Sequence, residues 1–231
     1  MCGNLTRKLR VAIPTVFLMG ILLTFMMPTV LAPPPPNNQI YGTPGDDVIF
    51  GTPGNDDIWS GPGNDVIYAM GGDDNIWNDG GKDLIFAGDG SDNIWNMGAD
   101  SIIYGGNGND HIWCMGGGSE IIFAGDGDDG VWPDRVELDP NDPNIIIEID
   151  HGNDIVYLGN GNDGVWSGGG DDKLFGGEGN DKLFGMGDND WMDGGPGDDT
   201  IDGMAGTDVG LGGRGIDTIT NCEVALYGPQ P

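Results

Sequence analysis

The sequence predicts an all-β fold, a solenoid wound from nonapeptide repeats, and three observations carry that prediction. A nine-residue pattern returns eighteen times between Gly42 and Thr220. Glycine and aspartate hold fixed places within it: the fourth residue is Gly in sixteen copies and the sixth is Asp in sixteen. The ninth place alternates as Phe50, Trp59, Tyr68, Trp77, Phe86, Trp95, Tyr104, Trp113, Phe123 and Trp132, so every second copy carries Trp. Self-similarity at a short fixed period marks a solenoid, whose single repeat cannot bury its apolar face without a neighbour. Alternation in every other copy points to a turn of eighteen residues with two strands in different environments.

Composition agrees once the period is seen. Of 231 residues, 46 are Gly, which in an aperiodic chain would signal disorder. Here the Ile, Trp, Phe and Tyr recur at fixed spacing, so the glycine belongs to a regular fold. The net charge is −30, and past residue 32 only five basic residues face 38 acidic ones. Such a surface repels phosphates and anionic lipid, which excludes nucleic acid as a partner. Acid serving solvation alone would be scattered and would not keep a strict period.

Taken in chain order, residues 1–32 read as a leader. Arg7, Lys8 and Arg10 precede an uncharged stretch from residue 11 to residue 32, as in an export signal or an uncleaved N-terminal anchor. Either one places the rest of the chain outside the cytoplasm, secreted or at the cell surface. The anchor would be its one tie to a membrane. Residues 33–41 open with four prolines and read as a stiff linker.

Residues 42–132 form a first block of ten repeats, from GTPGDDVIF through SGPGNDVIY to AGDGDDGVW. The copy CMGGGSEIIF carries one extra residue. The first six positions suit a tight turn and the last three a short strand. Position eight points inward as Ile49, Ile58, Ile67, Ile76, Ile85, Ile94, Ile103, Ile112, Ile122 and Val131, β-branched side chains that suit stacked strands. Position one alternates with position nine. Gly51, Ala69, Ala87, Gly105 and Ala124 follow Phe or Tyr, whereas Ser60, Asn78, Asn96 and Cys114 follow Trp.

The resulting pattern, Gly-Gly-x-Gly-x-Asp-x-apolar-x, resembles the haemolysin-type, or RTX, calcium-binding repeat. The resemblance spans residues 42–220, with Ala99 and Asp188 departing at position four and Ser101 and Glu120 at position six. It implies a right-handed parallel β-roll, a β-solenoid with two nonamers per turn and multiple Ca²⁺ ions between same-side turns. Ca²⁺ takes six to eight hard oxygen ligands from carboxylates and carbonyls. The carboxylates expected in that role are Asp47, Asp56, Asp65, Asp74, Asp83, Asp92, Asp110, Glu120, Asp129, Asp154, Asp163, Asp172, Asp181, Asp190, Asp199, Asp208 and Asp217. The turn glycines expected to offer carbonyls are Gly45, Gly54, Gly63, Gly72, Gly81, Gly90, Gly108, Gly127, Gly161, Gly170, Gly179 and Gly197. About fourteen ions between same-side turns would bring about +28 against the −33 of the exported chain. Without them the acid rows repel and the chain folds poorly.

Residues 133–148 interrupt the array, as a surface loop or as a boundary between two rolls. Asp134, Asp139 and Asp142 there are either one more ion site or a solvated acidic loop. The second block, 149–220, resumes the aromatic alternation at Tyr157 and Trp166 and weakens in its last three copies, as at the end of a solenoid. The tail 221–231 is expected to cap the last strand. Cys114 and Cys222 fall roughly four or five turns apart at about 4.8 Å per turn, beyond disulfide reach.

These readings point to a secreted structural or adhesive calcium-binding module. Trp59, Trp77, Trp95, Trp113 and Trp132 form an outward stripe that either stabilises the stacked strands or binds a cell-surface glycan, a cell wall or another protein. A third reading is a non-catalytic remnant or partner of an RTX-type secreted enzyme. No catalytic residue is expected: His111 and His151 lack metal-type spacing, and the repeat accounts for the paired carboxylates. The family's one-step export reads a C-terminal signal, and the hydrophobic leader here departs from that.

Overall fold

A computed structural model describes residues 37–133, 136–139, 142–148 and 152–228. The leader, the four prolines, Asp134 and His151 lie outside the described residues, as do the side chains of Asp139 and Asp142. The strands form two ten-stranded sheets, and consecutive strands of the chain alternate between them. One sheet begins with Asn38–Tyr41, Asp56–Trp59 and Asn75–Asn78 and ends with Thr218–Thr220. The other begins with Val48–Phe50, Val66–Gly71 and Leu84–Asp89 and ends with Val224–Leu226. No helix occurs among the described residues. This is a parallel β-roll of about ten turns.

The register is that of the eighteen-residue period. Ile58 lies beside Ile76 and Ile76 beside Ile94 in the first sheet, and Ile67 lies beside Ile85 in the second. Each position-eight side chain from Ile58 to Ile122 is fully buried, and the two rows merge into one apolar core continued by Val156, Val165, Leu174, Leu183, Met192 and Ile201. Burying each such side chain stabilises by roughly 1.5–3 kcal/mol, and the row can form only when turns stack. In the second sheet Ala69, Ala87 and Ala124 at position one are also buried, and the longer strands there run on through positions one to three.

Both sheets continue across the interruption: Val131 lies beside Val165, and Ile122 beside Val156. Residues Val136–Asp139 and Asp142–Glu148 pair as an antiparallel hairpin in a sheet of their own. The extra residue of the ninth copy is absorbed in the turn, since Ile103 still faces Ile122.

Strands from outside the repeats extend both edges. The end of the linker is a strand: Asn38–Tyr41 pairs with Asp56–Trp59, Ile40 lying beside Ile58 and Tyr41 stacking on Trp59 at 4.8 Å. These residues carry the last part of a repeat, an inward Ile followed by an aromatic, without its turn. The tail adds a strand of its own, Val224–Leu226 beside Val209–Leu211, and Leu226 stays 56% exposed. At this end the inward row fades, because Gly210 yields its place to Ile219 and Cys222. A Cβ on Gly210 would stand 2.8 Å from Ile219 Cγ2 and 3.0 Å from Cys222 Sγ.

Candidate metal centre

The turns between the sheets set the position-six carboxylates into two columns, one on each side of the roll. In the first, the main-chain N–H of Asp56 donates to Oδ1 of Asp74 at 2.7 Å, that of Asp74 to Asp92 at 2.8 Å, and that of Asp92 to Asp110 at 2.9 Å. The same bond carries on through Asp129, Asp163, Asp181 and Asp199 to Asp217. In the second, Asp47 donates to Asp65, Asp65 to Asp83 and Asp83 to the Ser101 hydroxyl. After Glu120 the column resumes through Asp154, Asp172, Asp190 and Asp208. It ends on Glu223, whose carboxylate accepts the Asp208 N–H at 2.7 Å. Glu223 lies outside the repeats, fifteen residues from Asp208, and no nine-residue count reaches it.

In most of these aspartates one oxygen is thus used and the other is left over. Oδ2 of Asp74, Asp92, Asp110, Asp129, Asp163, Asp181, Asp190, Asp199, Asp208 and Asp217 is buried with no hydrogen-bond donor. An orphaned buried charge of that kind costs several kcal/mol, and a column of them compounds the cost. Burial accordingly pushes Asp74 and Asp163 from the ordinary 3.8 up to about 7, Asp110 and Asp190 to about 8, and Asp172 to about 9. Carboxylates one turn away add to the rise, and the main-chain N–H bond opposes it. Asp47 and Asp56 are different. Their Oδ2 atoms accept the N–H of Thr43 and Thr52, each at 2.5 Å, so the first two repeats satisfy their own acid.

Main-chain oxygens stand beside the orphaned ones. A Cβ built on Gly176 would lie 2.5 Å from both Asp181 Oδ2 and the Gly194 carbonyl oxygen. The two oxygens are therefore within about 5 Å of each other, a span that one Ca²⁺ with bonds of roughly 2.3–2.6 Å can bridge. Gly105 repeats the arrangement, with Asp110 Oδ2 and the Ala124 carbonyl both at 2.5 Å. Among the described residues no three His, Cys, Asp or Glu side chains converge on one point. A site here would draw on one or two carboxylates and take its other oxygens from the main chain, as a hard divalent cation accepts.

The turn glycines fall into place as a stack. Gly179 has φ +132°, and a Cβ there would fall inside the carbonyl oxygen of Gly161 one turn back. Gly45 and Gly54, at the start of the roll, have open space instead. Position five supplies a second ladder that the nine-residue pattern conceals. The N–H of Asp73 donates to Asn55 Oδ1, that of Ser91 to Asp73, and that of Asn109 to Ser91, each bond pointing back one turn. Inner and outer ladders therefore run in opposite directions. The signal in the sequence is the short acceptor, Asn, Asp or Ser, that precedes most of the position-six Asp residues.

The tryptophan stripe is a closed stack. Trp59 and Trp77 lie 4.7 Å apart at 7°, Trp77 and Trp95 5.1 Å, Trp95 and Trp113 5.3 Å, and Trp113 and Trp132 5.4 Å. All five rings are half-buried, and their faces cover one another, so edges rather than faces meet solvent. The Phe and Tyr of the other sheet stack likewise until Asp193 takes the place of an aromatic.

Fold and site together define a repeat protein whose stacked turns carry columns of oxygen ligands for a hard divalent cation. A family model described as the RTX calcium-binding nonapeptide repeat matches residues 37–67, 50–85, 59–94, 86–113, 150–165, 166–201 and 184–219. The chain belongs to that family, and its repeats are calcium-binding repeats. The comparison with curated proteins returns no match.

Proposed function

We propose that this chain is a secreted, non-catalytic calcium-binding module that Ca²⁺ folds into a rigid structural or adhesive rod. The observation that carries the reading is the double column of buried Oδ2 atoms that no protein donor reaches. Asp65, Asp74, Asp92, Asp110, Asp129, Asp163, Asp172, Asp181, Asp190, Asp199, Asp208 and Asp217 are the side-chain ligands in this proposal, with neighbouring main-chain carbonyls completing each ion. Bound Ca²⁺ supplies the positive charge that the five basic residues past the leader cannot. The basic and then apolar leader supports export. The test is circular dichroism and small-angle scattering of the chain in EGTA and in millimolar Ca²⁺. A collapse from an expanded chain to a β-rich rod is expected, and an identical folded spectrum in both counts against the reading.

A second reading, ligand capture on the outer face of the tryptophan sheet, has one observation in its favour. Trp132 and Trp166 fold back over Gly130 and Gly164, where a Cβ would meet the indoles at 2.8 and 3.0 Å, and with His111 and Lys182 they border a depression of about 550 Å³. Aromatic edges, Asn162, Asn180 and a lysine suit a cell-surface glycan better than an apolar ligand. Glycan-array binding in saturating calcium that is lost in Lys182→Ala and Trp166→Ala, with the folded dichroism spectrum of the calcium-loaded chain retained, is the outcome this reading requires.

A further inference from the structure

The two sides of the roll are unlike over residues 60–101. On the side of Asp74 and Asp92, position one is Ala69 and Ala87, and each carboxylate keeps its buried Oδ2 free of donors. On the opposite side position one is Ser60, Asn78 and Asn96, all fully buried. These three form a hydrogen-bonded chain. Ser60 Oγ donates to Asn78 Oδ1 at 2.7 Å, Asn78 Nδ2 to Asn96 Oδ1 at 2.7 Å, and Asn96 Nδ2 to the Gly98 carbonyl at 3.1 Å.

The chain reaches into the carboxylate column. Asn78 Nδ2 also donates to Asp83 Oδ2 at 2.5 Å, so the oxygen that stands orphaned elsewhere is held here by an amide. One turn further on Ser101 replaces the carboxylate altogether, its Oγ accepting the Asp83 N–H at 3.2 Å. An amide N–H carries positive partial charge and repels a cation. To offer its oxygen instead, Asn78 would have to turn over. That would give up its donations to Asn96 and Asp83 and reverse its bond with Ser60, in a chain whose donors all point one way.

We infer that, between Asn78 and Ser101, calcium lines only one side of the roll, and that the Ser60–Asn78–Asn96 chain stands in for the ions on the other. This rests on the calcium reading above and corrects its simplest form, in which every Asp of the repeat is a ligand. In this stretch the protein's own amides do what the cation does elsewhere: they satisfy a buried carboxylate and tie one turn to the next.

The test is the number of calcium ions bound per full chain, measured by equilibrium dialysis and elemental analysis. Asp92→Asn is expected to lower the count by about one or two ions, because a carboxylate between turns can touch the ions on both sides of it. Asp83→Asn is expected to leave the count unchanged. Equal losses in the two variants overturn the inference, whereas no loss in Asp92→Asn overturns the calcium reading itself. Should Asp83→Asn fail to fold, Asn78→Ala gives the answer instead, since it frees Asp83 Oδ2. A gain of an ion there supports the inference, and an unchanged count overturns it.

Discussion

The main-chain N–H of Asp129 donates to Oδ1 of Asp163 at 2.7 Å across 34 residues of chain. The bond from Asp56 to Asp74, across 18 residues, has the same length. The difference of sixteen equals the length of the segment 133–148, so the column passes the interruption without a change of step.

Deleting residues 133–148 should therefore leave the roll intact, since it restores the eighteen-residue spacing and removes a hairpin paired only with itself. The calcium midpoint of the dichroism transition is expected to stay within about twofold, and stability within about 1 kcal/mol, because shortening a surface loop changes closure entropy only slightly. A deletion variant that no longer folds in calcium would show that the hairpin is part of the roll.

Calcium-free protein should be more folded in acid. Asp74 and Asp163 are pushed to about 7 and Asp110 to about 8, from 3.8, so the folded state holds protons that the unfolded chain has released. Their contribution is fully present below about pH 4 and is lost as pH rises through 7 to 8. In EGTA the β signal at pH 5 should exceed that at pH 8, and millimolar Ca²⁺ should flatten the profile by replacing the proton. A signal in EGTA that rises with pH would contradict this.

The glycine stack gives a paired test. Gly179→Ala places a Cβ inside the Gly161 carbonyl at a φ of +132° and should cost about 3 kcal/mol or more. Gly54→Ala meets nothing within 4 Å and should stay within about 1 kcal/mol. Urea titration in saturating calcium measures both.

Trp95→Ala opens the middle of the indole stack, removing contacts of 5.1 Å to Trp77 and 5.3 Å to Trp113. A loss of about 2–3 kcal/mol is expected from two stacked pairs and the area uncovered. The loss should appear in urea titration whether or not a saccharide is present, since the ring faces are already covered by protein.

Much of this roll was legible in the sequence because its period is short and its chemistry repeats. The inward rows of Ile58 and Ile67 and the alternation of Trp59 with Tyr68 are enough to define two strands per turn. What escaped was whatever broke the count. Asn38–Tyr41 is a strand without its turn, so a search for whole nonamers passes over it. Glu223 joins the column from fifteen residues away, across a turn of different length. Position five varies among Asn, Asp and Ser, which act alike as acceptors but share no letter. The donors that reach Asp47, Asp56 and Asp83 come from Thr43, Thr52 and Asn78, and only side-chain direction reveals that these carboxylates are already satisfied.

The opposed ladders have a mechanical consequence. Apart from the hairpin, each described strand pairs only with the strand one turn before or after it, so the bonds between turns lie along the axis of the roll. A pull on the two ends loads the outermost turn before its neighbours, and the rod yields by peeling one turn at a time. Each turn released pays out eighteen residues, about 60 Å of extended chain. Where ions bridge the turns, every step also requires calcium to leave. Tension on such a tether would be limited by the surrounding calcium concentration, and slackening would let the coil rewind.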